Sequence, residues 1–360
     1  MNVLLLRDRF PHMGQYSGYD QLSEALGRLN ETTIFSVWRN RKRAVRGVGP
    51  LMRFLKKHIH ATPFYKVQGF QMELSAAWKT IKQRVDVIHV LYLEDTLGVL
   101  PYLRKKFFPG VKLVATAHQP PSWWKVNRLA PYWLNELDAL IVLDSVSEAF
   151  FAKYMSPEKI HVVPHGVAVD FFTPPTDTKM SGKCLYVGQW LRDIACLEEV
   201  VRLVSEKTDT ISFDLVFKPQ VHDATNPLLL KLAQNPQVTF HPGLTDTQLA
   251  NLYREAALLT LPLLDSSANN ALLEAMASGL PILSTGVGGV KEYVPAAGAR
   301  IFQDNKPELF AEAILHLIAQ PSERIRMGQV LREKAEEAYA WPLVAGQMEQ
   351  LYKKLTGMSL

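Results

Sequence analysis

Short apolar runs of the kind that form β-strands alternate with helical patterns along almost the whole chain, and this alternation limits the folds that it can adopt. In the first half, runs rich in Val, Ile or Leu cover residues 1–6, 33–37, 87–90, 112–116, 139–143 and 160–163. In the second half, similar runs cover residues 183–187, 212–217, 238–240, 258–261 and 281–284. Because parallel strands need a long crossover, usually a helix, the sequence predicts an α/β protein built from βαβ units.

The length of 360 residues exceeds what one hydrophobic core usually serves, so we expect two domains. A turn-rich stretch at 171–177 can link them. We therefore predict an N-terminal Rossmann-like domain over 1–172 and a C-terminal one over 173–340. Thr245 and Gln248 form a capping box that predicts a helix start in the second domain. Residues 341–360 show helical spacing without a further strand, and the first domain is the candidate surface on which they pack.

Composition excludes several classes of protein. With 48% hydrophobic and 21% charged residues, the chain is ordinary globular material. No apolar run approaches the roughly 18 to 20 residues that cross a bilayer, and Met1–Arg7 is too short for a signal peptide. Cys184 and Cys196 have no neighbours at metal-ligand spacing. We therefore expect a cytoplasmic protein with neither a disulfide framework nor a metal site.

One segment is strongly basic although the net charge is only +5. Residues 38–60 contain many Lys and Arg residues and no acid, and the pattern after Val48 is that of an amphipathic helix. Such a helix can lie on anionic lipid as a peripheral contact at the inner membrane surface. The alternative is that its apolar stripe packs on the sheet and its charges are solvated. A nucleic-acid interpretation is weaker because no recognised binding fold accompanies the segment.

The segment Asn269–Leu283 joins a polar loop to a short helix and then a strand, and Glu274 lies inside that helix. This is how an α/β domain presents backbone amides and an acidic side chain to a nucleotide at the edge of its sheet. A carboxylate there can accept hydrogen bonds from two ribose hydroxyls. The alternative for Glu274 is an acid near a helix start that the macrodipole favours. The first interpretation predicts an enzyme that acts on a nucleotide-linked substrate.

Four short motifs, in this order and spacing, resemble those of the retaining family 4 glycosyltransferases. They are Val-Val-Pro-His-Gly-Val at 162–167, Leu-Tyr-Val-Gly at 185–188, Leu-Leu-Glu-Ala-Met-Ala-Ser-Gly-Leu-Pro at 272–281, and Gly-Gly at 288–289. The resemblance implies a GT-B fold, in which two Rossmann-like domains with parallel sheets face each other across a cleft. It also implies a nucleoside-diphosphate sugar of the UDP or GDP type as donor and no further cofactor. The sequence has no Asp-x-Asp motif, so we expect no metal requirement.

The resemblance implies a set of donor-binding residues. Glu274 would bind the ribose. The diphosphate gains charge as the glycosidic bond breaks and so needs cations or oriented N–H groups. Gly188 ends the strand after which the family carries an Arg, but Gln189 follows it here. The nearest cations are Arg192 and, after the next strand, Lys218; a solvated surface role is the alternative for each. A further donor contact is the Gly14–Gly18 loop, in which Gly18 matches the family. The last contacts are the backbone amides or side chains of Asn269, Asn270 and Ala271. For the Asn residues, a simple helix cap is the alternative.

The sugar-side residues depart from the family pattern. The resemblance places His118, which follows the strand 112–116, close to the donor sugar, where an imidazole can orient a hydroxyl; a loop histidine without a role is the alternative. Family members commonly carry a Glu eight positions before Glu274, and here that position is Ser266 with Asp265 beside it. We count His118, Asp265, Ser266 and Glu274 as the candidate catalytic residues.

These residues predict a retaining glycosyltransferase that moves a sugar from the donor, held mainly by the second domain, to a hydroxyl acceptor on the first. The acceptor would be of a glycan or lipid-linked type, in glycan, polysaccharide or glycolipid biosynthesis. No nucleophilic carboxylate is evident, so we expect a same-face reaction assisted by the departing phosphate. Two alternatives are a nucleotide-sugar epimerase of the same fold and a non-catalytic protein that binds a sugar or a partner. No nucleic-acid partner is expected.

Overall fold

The computed structural model describes residues 1–8, 14–39, 49–58, 61–127, 134–176, 182–217 and 226–358. Internal contacts divide the chain into two compact units. The first consists of Met1–Phe10, Tyr19–His165 and Trp341–Leu360, and the second of Pro11–Gly18 and Gly166–Ala340. The C-terminal segment thus belongs to the first unit. The short segment before Gly18 precedes the first helix in sequence but has its contacts in the second unit.

The first unit is built on a six-stranded parallel sheet with the order β2-β1-β3-β4-β5-β6. All six strands predicted for this half are confirmed. Their bounds are β1 Asn2–Arg7, β2 Thr33–Trp38, β3 Val87–Val90, β4 Lys112–Ala117, β5 Ala139–Val142 and β6 Ile160–Val162. The interior strands β3 and β5 are buried at every residue, as is usual for a parallel sheet covered on both faces.

Seven α-helices in the described residues accompany this sheet. They are α1 Gln21–Leu26, α2 Gly49–His58, α3 Val67–Lys82, α4 Leu100–Phe107, α5 Pro121–Val126, α6 Ser145–Phe151 and the C-terminal helix Trp341–Thr356. The C-terminal helix buries Val344, Met348 and Tyr352 and packs against α1. Its apolar stripe explains why it needs a surface that is already built.

The second unit has a second six-stranded parallel sheet, with the order β12-β11-β10-β7-β8-β9. The bounds are β7 Lys183–Val187, β8 Ser212–Val216, β9 Val238–Phe240, β10 Leu258–Leu261, β11 Ile282–Thr285 and β12 Ala299–Phe302. Five of these strands confirm the prediction, and β12 was missed. The strand order reverses between β7 and β10, which is the topological switch point of a Rossmann-like sheet.

The helices of the second unit lie between its strands and after them. They are α7 Ile194–Ser205, α8 Pro227–Gln234, α9 Asp246–Glu255, α10 Asn270–Ala277, α11 Val290–Tyr293, α12 Pro307–Ile318 and α13 Pro321–Lys334. The C-terminal helix Trp341–Thr356 is therefore numbered α14. The predicted capping box is present at α9, where the Thr245 hydroxyl accepts from the Gln248 N–H and the Gln248 side chain accepts from the Thr245 N–H. The fold class is therefore α/β, with two parallel sheets, as predicted.

Candidate functional site

The loops that follow β7 and β10 meet at the switch point of the second sheet. These two strands are parallel neighbours, so their carboxyl ends lie at the same edge. The loops are tied together, because the Leu264 N–H donates to the Leu191 carbonyl at 2.9 Å and Arg192 forms a backbone bridge with Leu263. Ligands of open α/β sheets bind in the crevice at this edge. A single sheet therefore fixes the positions of both loops of the candidate site.

Gly188 and Arg192 come together in the first of these loops. Gly188 has a φ of +86°, and a Cβ at this position would lie 3.3 Å from Nη2 of Arg192. Glycine thus allows both the turn after β7 and the close approach of the guanidinium. In the second loop, the side-chain oxygen of Asn269 accepts from Nη2 of Arg192 at 3.1 Å.

The charge of Arg192 has no acidic counterpart among the residues that the structure describes. Its hydrogen-bond partners are the Val187 and Trp190 carbonyls and the Asn269 side chain, all of which are neutral. Desolvation by the surrounding protein lowers the pKa of Arg192, yet a guanidinium stays charged at neutral pH. A partly buried cation without a carboxylate can form charge-assisted hydrogen bonds with an anion.

Asn269 is the N-cap of α10, as the alternative interpretation of this residue expected. Its side-chain oxygen accepts from the Ala271 N–H at 3.1 Å, and Asn270 and Ala271 form the first turn of the helix. The same oxygen therefore holds Arg192 beside the helix N-terminus, where N–H groups and the macrodipole favour negative charge. The structure thus brings Gly188, Arg192, Asn269, Asn270 and Ala271 into one place.

Glu274 lies one turn further along α10 and is only 4% exposed. One carboxylate oxygen accepts from the Ser17 hydroxyl at 2.6 Å, and the other accepts from the Tyr253 hydroxyl at 2.9 Å. Burial raises the pKa of Glu274 to about 7, and the two hydroxyl donors oppose that rise. Both oxygens that would contact a ribose are thus held by hydroxyl groups of the chain itself.

Ser17 belongs to a short segment, Gly14–Ser17, that we call the strap. The Gln15 N–H donates to a carboxylate oxygen of Asp246 at 2.8 Å, and the ring of Tyr16 stacks on Phe171 with centroids 3.7 Å apart. Gly18 follows the strap and has a φ of +99°, a conformation that favours glycine at this position. All of these contacts lie within the second unit.

Asp265 and Ser266 pack against the glycine pair at 288–289. The Ser266 carbonyl accepts from the Gly289 N–H at 3.1 Å, and a Cβ on Gly288 would overlap that carbonyl. Ser266 is buried, and its hydroxyl donates to the Ser267 carbonyl at 3.2 Å. The Asp265 carboxylate accepts from the Ser266 N–H. The catalytic roles of Asp265 and Ser266 stay predictions.

His118 belongs to the first unit, where it follows β4. Its Nε2 lies 2.8 Å from the Leu91 carbonyl, and since a carbonyl only accepts, Nε2 carries the proton. Its ring stacks on Tyr92 and meets the edge of Tyr19. Burial, with a smaller effect of His165, lowers the pKa of His118 to about 3. The imidazole is therefore neutral and can orient a hydroxyl, but it is a weak base at neutral pH.

Glu94 holds the loop that carries His118. It lies just beyond β3, is 2% exposed, and one of its oxygens accepts from the N–H groups of His118 and Gln119. Burial raises the pKa of Glu94 to about 7. Two backbone N–H groups therefore depend on one buried carboxyl group.

Two predicted features fall partly or wholly outside the described residues. Lys218 is not among them, and in the basic segment 38–60 neither are residues 40–48 and 59–60. The predicted helix of that segment is present as α2. The expectation that all cations of the segment 38–60 are on the surface is wrong for the first of them, Arg39. The Arg39 side chain is 4% exposed and pairs with Asp8 at 3.4 Å and Asp95 at 3.1 Å. Arg39 is thus a buried ion-pair partner and adds nothing to a surface patch.

A metal-ligand cluster and a membrane-spanning helix are both absent from the described part of the chain. There, no three His, Cys, Asp or Glu side chains form a group that could hold a metal ion. Within the same residues, none of the helices has both the length and the apolar character needed to span a bilayer. Both cysteines, Cys184 and Cys196, are buried and free.

Two family models together match most of the chain. Residues 17–171 match the model described as "Glycosyltransferase Family 4", and residues 182–320 match "Glycosyl transferases group 1". The chain is a member of the family 4 and group 1 glycosyltransferases. The glycosyltransferase models thus meet near the boundary between the two units, and the second includes β7, β10 and the loops of the candidate site.

Curated relatives carry glycosyltransferase names. The chain is 27% identical over 273 residues to MMP alpha-(1->4)-mannosyltransferase of Mycolicibacterium hassiacum, a match that covers 68% of this chain and 66% of that protein. It is 28% identical over 221 residues to D-inositol 3-phosphate glycosyltransferase of Corynebacterium efficiens, covering 56% of this chain and 52% of that protein. The matched regions therefore span about half to two thirds of the relatives' own lengths.

Solved structures share the fold of this glycosyltransferase. Sucrose-phosphate synthase from Thermosynechococcus elongatus superposes with a TM-score of 0.76 at 19% identity, covering 99% of this chain and 100% of that one. HepE of Anabaena in complex with UDP and glucose gives a TM-score of 0.72 at 14% identity, covering 98% of this chain and 100% of that one. The glycosyltransferase thus has the GT-B fold.

Several residues around the glycosyltransferase site were not found from the sequence. No sequence motif includes Ser17, Tyr253 or Asp246. Only the folded chain brings them beside Glu274. Glu94 offered a signal that was overlooked, because it is an acid four residues after the end of a buried strand, and the loop after a strand of a parallel sheet starts at the carboxyl edge.

Proposed function

We propose that this chain transfers a sugar from a nucleoside-diphosphate sugar to a hydroxyl acceptor with retention of the anomeric configuration. The observation that carries the proposal is Arg192, a partly buried cation without a described acidic partner, held beside the N-terminus of α10 at the switch point of the second sheet. A departing diphosphate has the charge that such a place stabilises. Membership of a glycosyltransferase family supports the same conclusion.

The donor contacts follow from this geometry. Arg192 and the N–H groups at the start of α10 would contact the diphosphate, with Lys218 as a second cation after β8. Gly188 would let the phosphates approach the backbone. Glu274 would accept the ribose hydroxyls, which requires that at least one of its present donors moves aside. These groups supply the positive charge that the leaving group needs, so we propose that the reaction requires no metal.

The chemical step would depend on positioning more than on covalent catalysis. Ser266 stands where family members commonly carry a Glu, so we propose a same-face displacement in which the departing diphosphate assists the incoming hydroxyl. Neutral His118 would orient a sugar hydroxyl through the ring nitrogen that does not face Leu91. Asp265 would contribute charge beside the sugar.

The acceptor would be a glycan or a lipid-linked glycan. One of the relatives described above is named D-inositol 3-phosphate glycosyltransferase, so a small phosphorylated acceptor is included in the proposal. The basic segment 38–60 would provide contact with an anionic membrane if the acceptor is lipid-linked. A membrane role for it rests on α2 and its exposed Phe54, and no longer on Arg39.

The test is an incubation of the full chain with UDP- and GDP-linked glucose, mannose and N-acetylglucosamine. Free nucleoside diphosphate is measured with and without hydroxyl acceptors, and the anomeric configuration of any product is read by NMR. Diphosphate release that depends on an acceptor, with retention, supports the proposal. Conversion of the donor without an acceptor would instead identify an epimerase. Donor binding without turnover on every acceptor would identify a binding protein.

A further inference from the structure

We infer that the strap, Gly14–Ser17, occupies part of the nucleotide site in the free protein and that a nucleotide must displace it from Glu274 to bind. This inference rests on the proposed function, because it takes Glu274 as the ribose contact. It adds a built-in competitor that sets the affinity for the donor.

The Ser17 hydroxyl already makes the contact that the proposal assigns to a ribose. It donates to Oε1 of Glu274 at 2.6 Å, while the Tyr253 hydroxyl donates to Oε2 at 2.9 Å. A ribose hydroxyl has the same donor chemistry as a serine hydroxyl. Tyr253 lies on α9 within the core of the unit and is 1% exposed, so it cannot easily leave. Ser17 is therefore the donor that a ribose would replace.

The strap has anchors that do not involve Glu274. The Gln15 N–H donates to Asp246, and a Cβ at position 14 would collide with that carboxylate in its present position, which the glycine avoids. The stack of Tyr16 on Phe171 adds apolar contact, with an interplanar angle of 5°. These contacts hold Ser17 over the carboxylate and make the closed strap a defined state.

Displacement has a predictable effect on affinity. When a site is accessible in only a fraction of molecules, the observed dissociation constant rises by the inverse of that fraction. A ribose can give Glu274 two hydroxyl donors in place of the single donor of Ser17, so the strap cancels part, and not all, of the affinity that this contact adds in the wild-type chain. Removing the Ser17 hydroxyl opens the site and leaves the carboxylate without its second donor, and both changes favour the nucleotide.

The experiment measures UDP and GDP binding to the full chain by calorimetry, with Ser17→Ala, Glu274→Ala and the control Ser75→Ala. Ser75 is an exposed serine of α3 whose hydroxyl donates only to a backbone carbonyl of its own helix, so its loss should not change affinity. We expect Ser17→Ala to lower the Kd about ten-fold, since a hydrogen bond to a charged group has this order of strength. Glu274→Ala should raise the Kd at least ten-fold.

The two variants separate the two proposals. If Glu274→Ala leaves the Kd unchanged, or if neither nucleotide binds the wild-type chain, the proposed nucleotide site fails. If Glu274→Ala weakens binding while Ser17→Ala leaves the Kd unchanged or raises it, the strap inference fails and the nucleotide site stands.

A second variant and a second measurement avoid dependence on Ser17 alone. Tyr16→Ala removes the stack on Phe171 without touching either carboxylate, and we expect it to lower the Kd as well. A higher Kd would mean that Tyr16 itself binds the nucleotide, against the inference. Amide hydrogen exchange of the peptide that contains residues 14–18 should become faster when UDP or GDP is added. Slower exchange would show a strap that closes over the nucleotide, which is the opposite of displacement.

Discussion

Arg192 donates a hydrogen bond to the side-chain oxygen of Asn269 at 3.1 Å, and that same oxygen caps the helix α10. The cation and the helix N-terminus are therefore fixed to each other by a single amide group. Because the two residues follow different strands, β7 and β10, their contact also joins the two loops of the switch point. Any ligand bound by one of these groups is close to the other.

Replacing Arg192 with Gln should weaken the binding of UDP or GDP ten- to a hundred-fold, since charge-assisted hydrogen bonds to phosphate contribute about 1.5 to 3 kcal/mol. The fold should survive because the residue is only partly buried. Calorimetry measures the Kd, and Arg326→Gln, an exposed arginine of α13, is the matched control. An Arg192→Gln protein that binds as tightly as the control would remove the main support for the proposed function.

The sequence predicted those parts of the fold whose signals are local. Eleven of the twelve strands were found because each is a compact apolar run, and the capping box at Thr245 was found because its two residues are three apart. The missed strand β12, Ala299–Phe302, is only four residues long, has exposed Arg300 in its middle and lies at the sheet edge. A half-exposed edge strand has no continuous apolar run to recognise.

The site was predicted only where chain order carries the information. A parallel sheet brings the carboxyl ends of its strands together. Position in the sequence was therefore sufficient to place Gly188, Arg192 and Asn269, which follow such strands, in one site. Ser17 reaches Glu274 across 257 positions of the chain, and no periodicity reveals such a contact. Arg39 was misread for the same reason, because its partners Asp8 and Asp95 are distant in sequence and a run of cations looks solvated until they are seen.

Gly288→Ala should destabilise the protein by at least about 3 kcal/mol. The residue has a φ of +50°, which costs an alanine about 1 to 2 kcal/mol, and the new Cβ would overlap the Ser266 carbonyl. Gly346→Ala is the control, because its Cβ would meet open space in the helix α14 and should stabilise by about 0.5 to 1 kcal/mol. Urea denaturation measures both variants. Equal stabilities would contradict the close approach of Gly288 to Ser266.

Glu94→Ala should lower the free energy of unfolding by about 3 kcal/mol, since the partly buried N–H groups of His118 and Gln119 would both lose their acceptor. Glu94→Gln keeps an amide oxygen that can accept from both groups, so it should stay within about 1 kcal/mol of the wild type at pH 7. Urea denaturation of the pair checks this prediction. A Gln variant as unstable as the Ala variant would show that the charge of Glu94, and not its acceptor oxygen, holds the loop.

Glu274 should make the protein less stable as the pH rises from about 4.5 to about 7. Burial raises the pKa of its carboxyl group from its ordinary value of 4.5 to about 7, so in this range the folded chain binds a proton that the unfolded chain has released. Stability then falls with pH, by about 3 kcal/mol in all for a shift of this size. The full stabilising effect of the neutral form is present below pH 4.5 and is lost as the pH passes about 7.

Glu274→Gln isolates this effect, because its side chain stays neutral while two other buried carboxyl groups with a raised pKa, those of Glu73 and Glu94, are kept. The difference in the free energy of unfolding, variant minus wild type, should rise by about 3 kcal/mol between pH 4.5 and pH 7.5 and then level off. Urea denaturation at several pH values measures it, with Glu337→Gln as the control at an exposed glutamate. If the Glu274→Gln curve runs parallel to the wild type while the control does the same, the carboxyl group is ionised throughout, and the two hydroxyl donors of Ser17 and Tyr253 outweigh its burial.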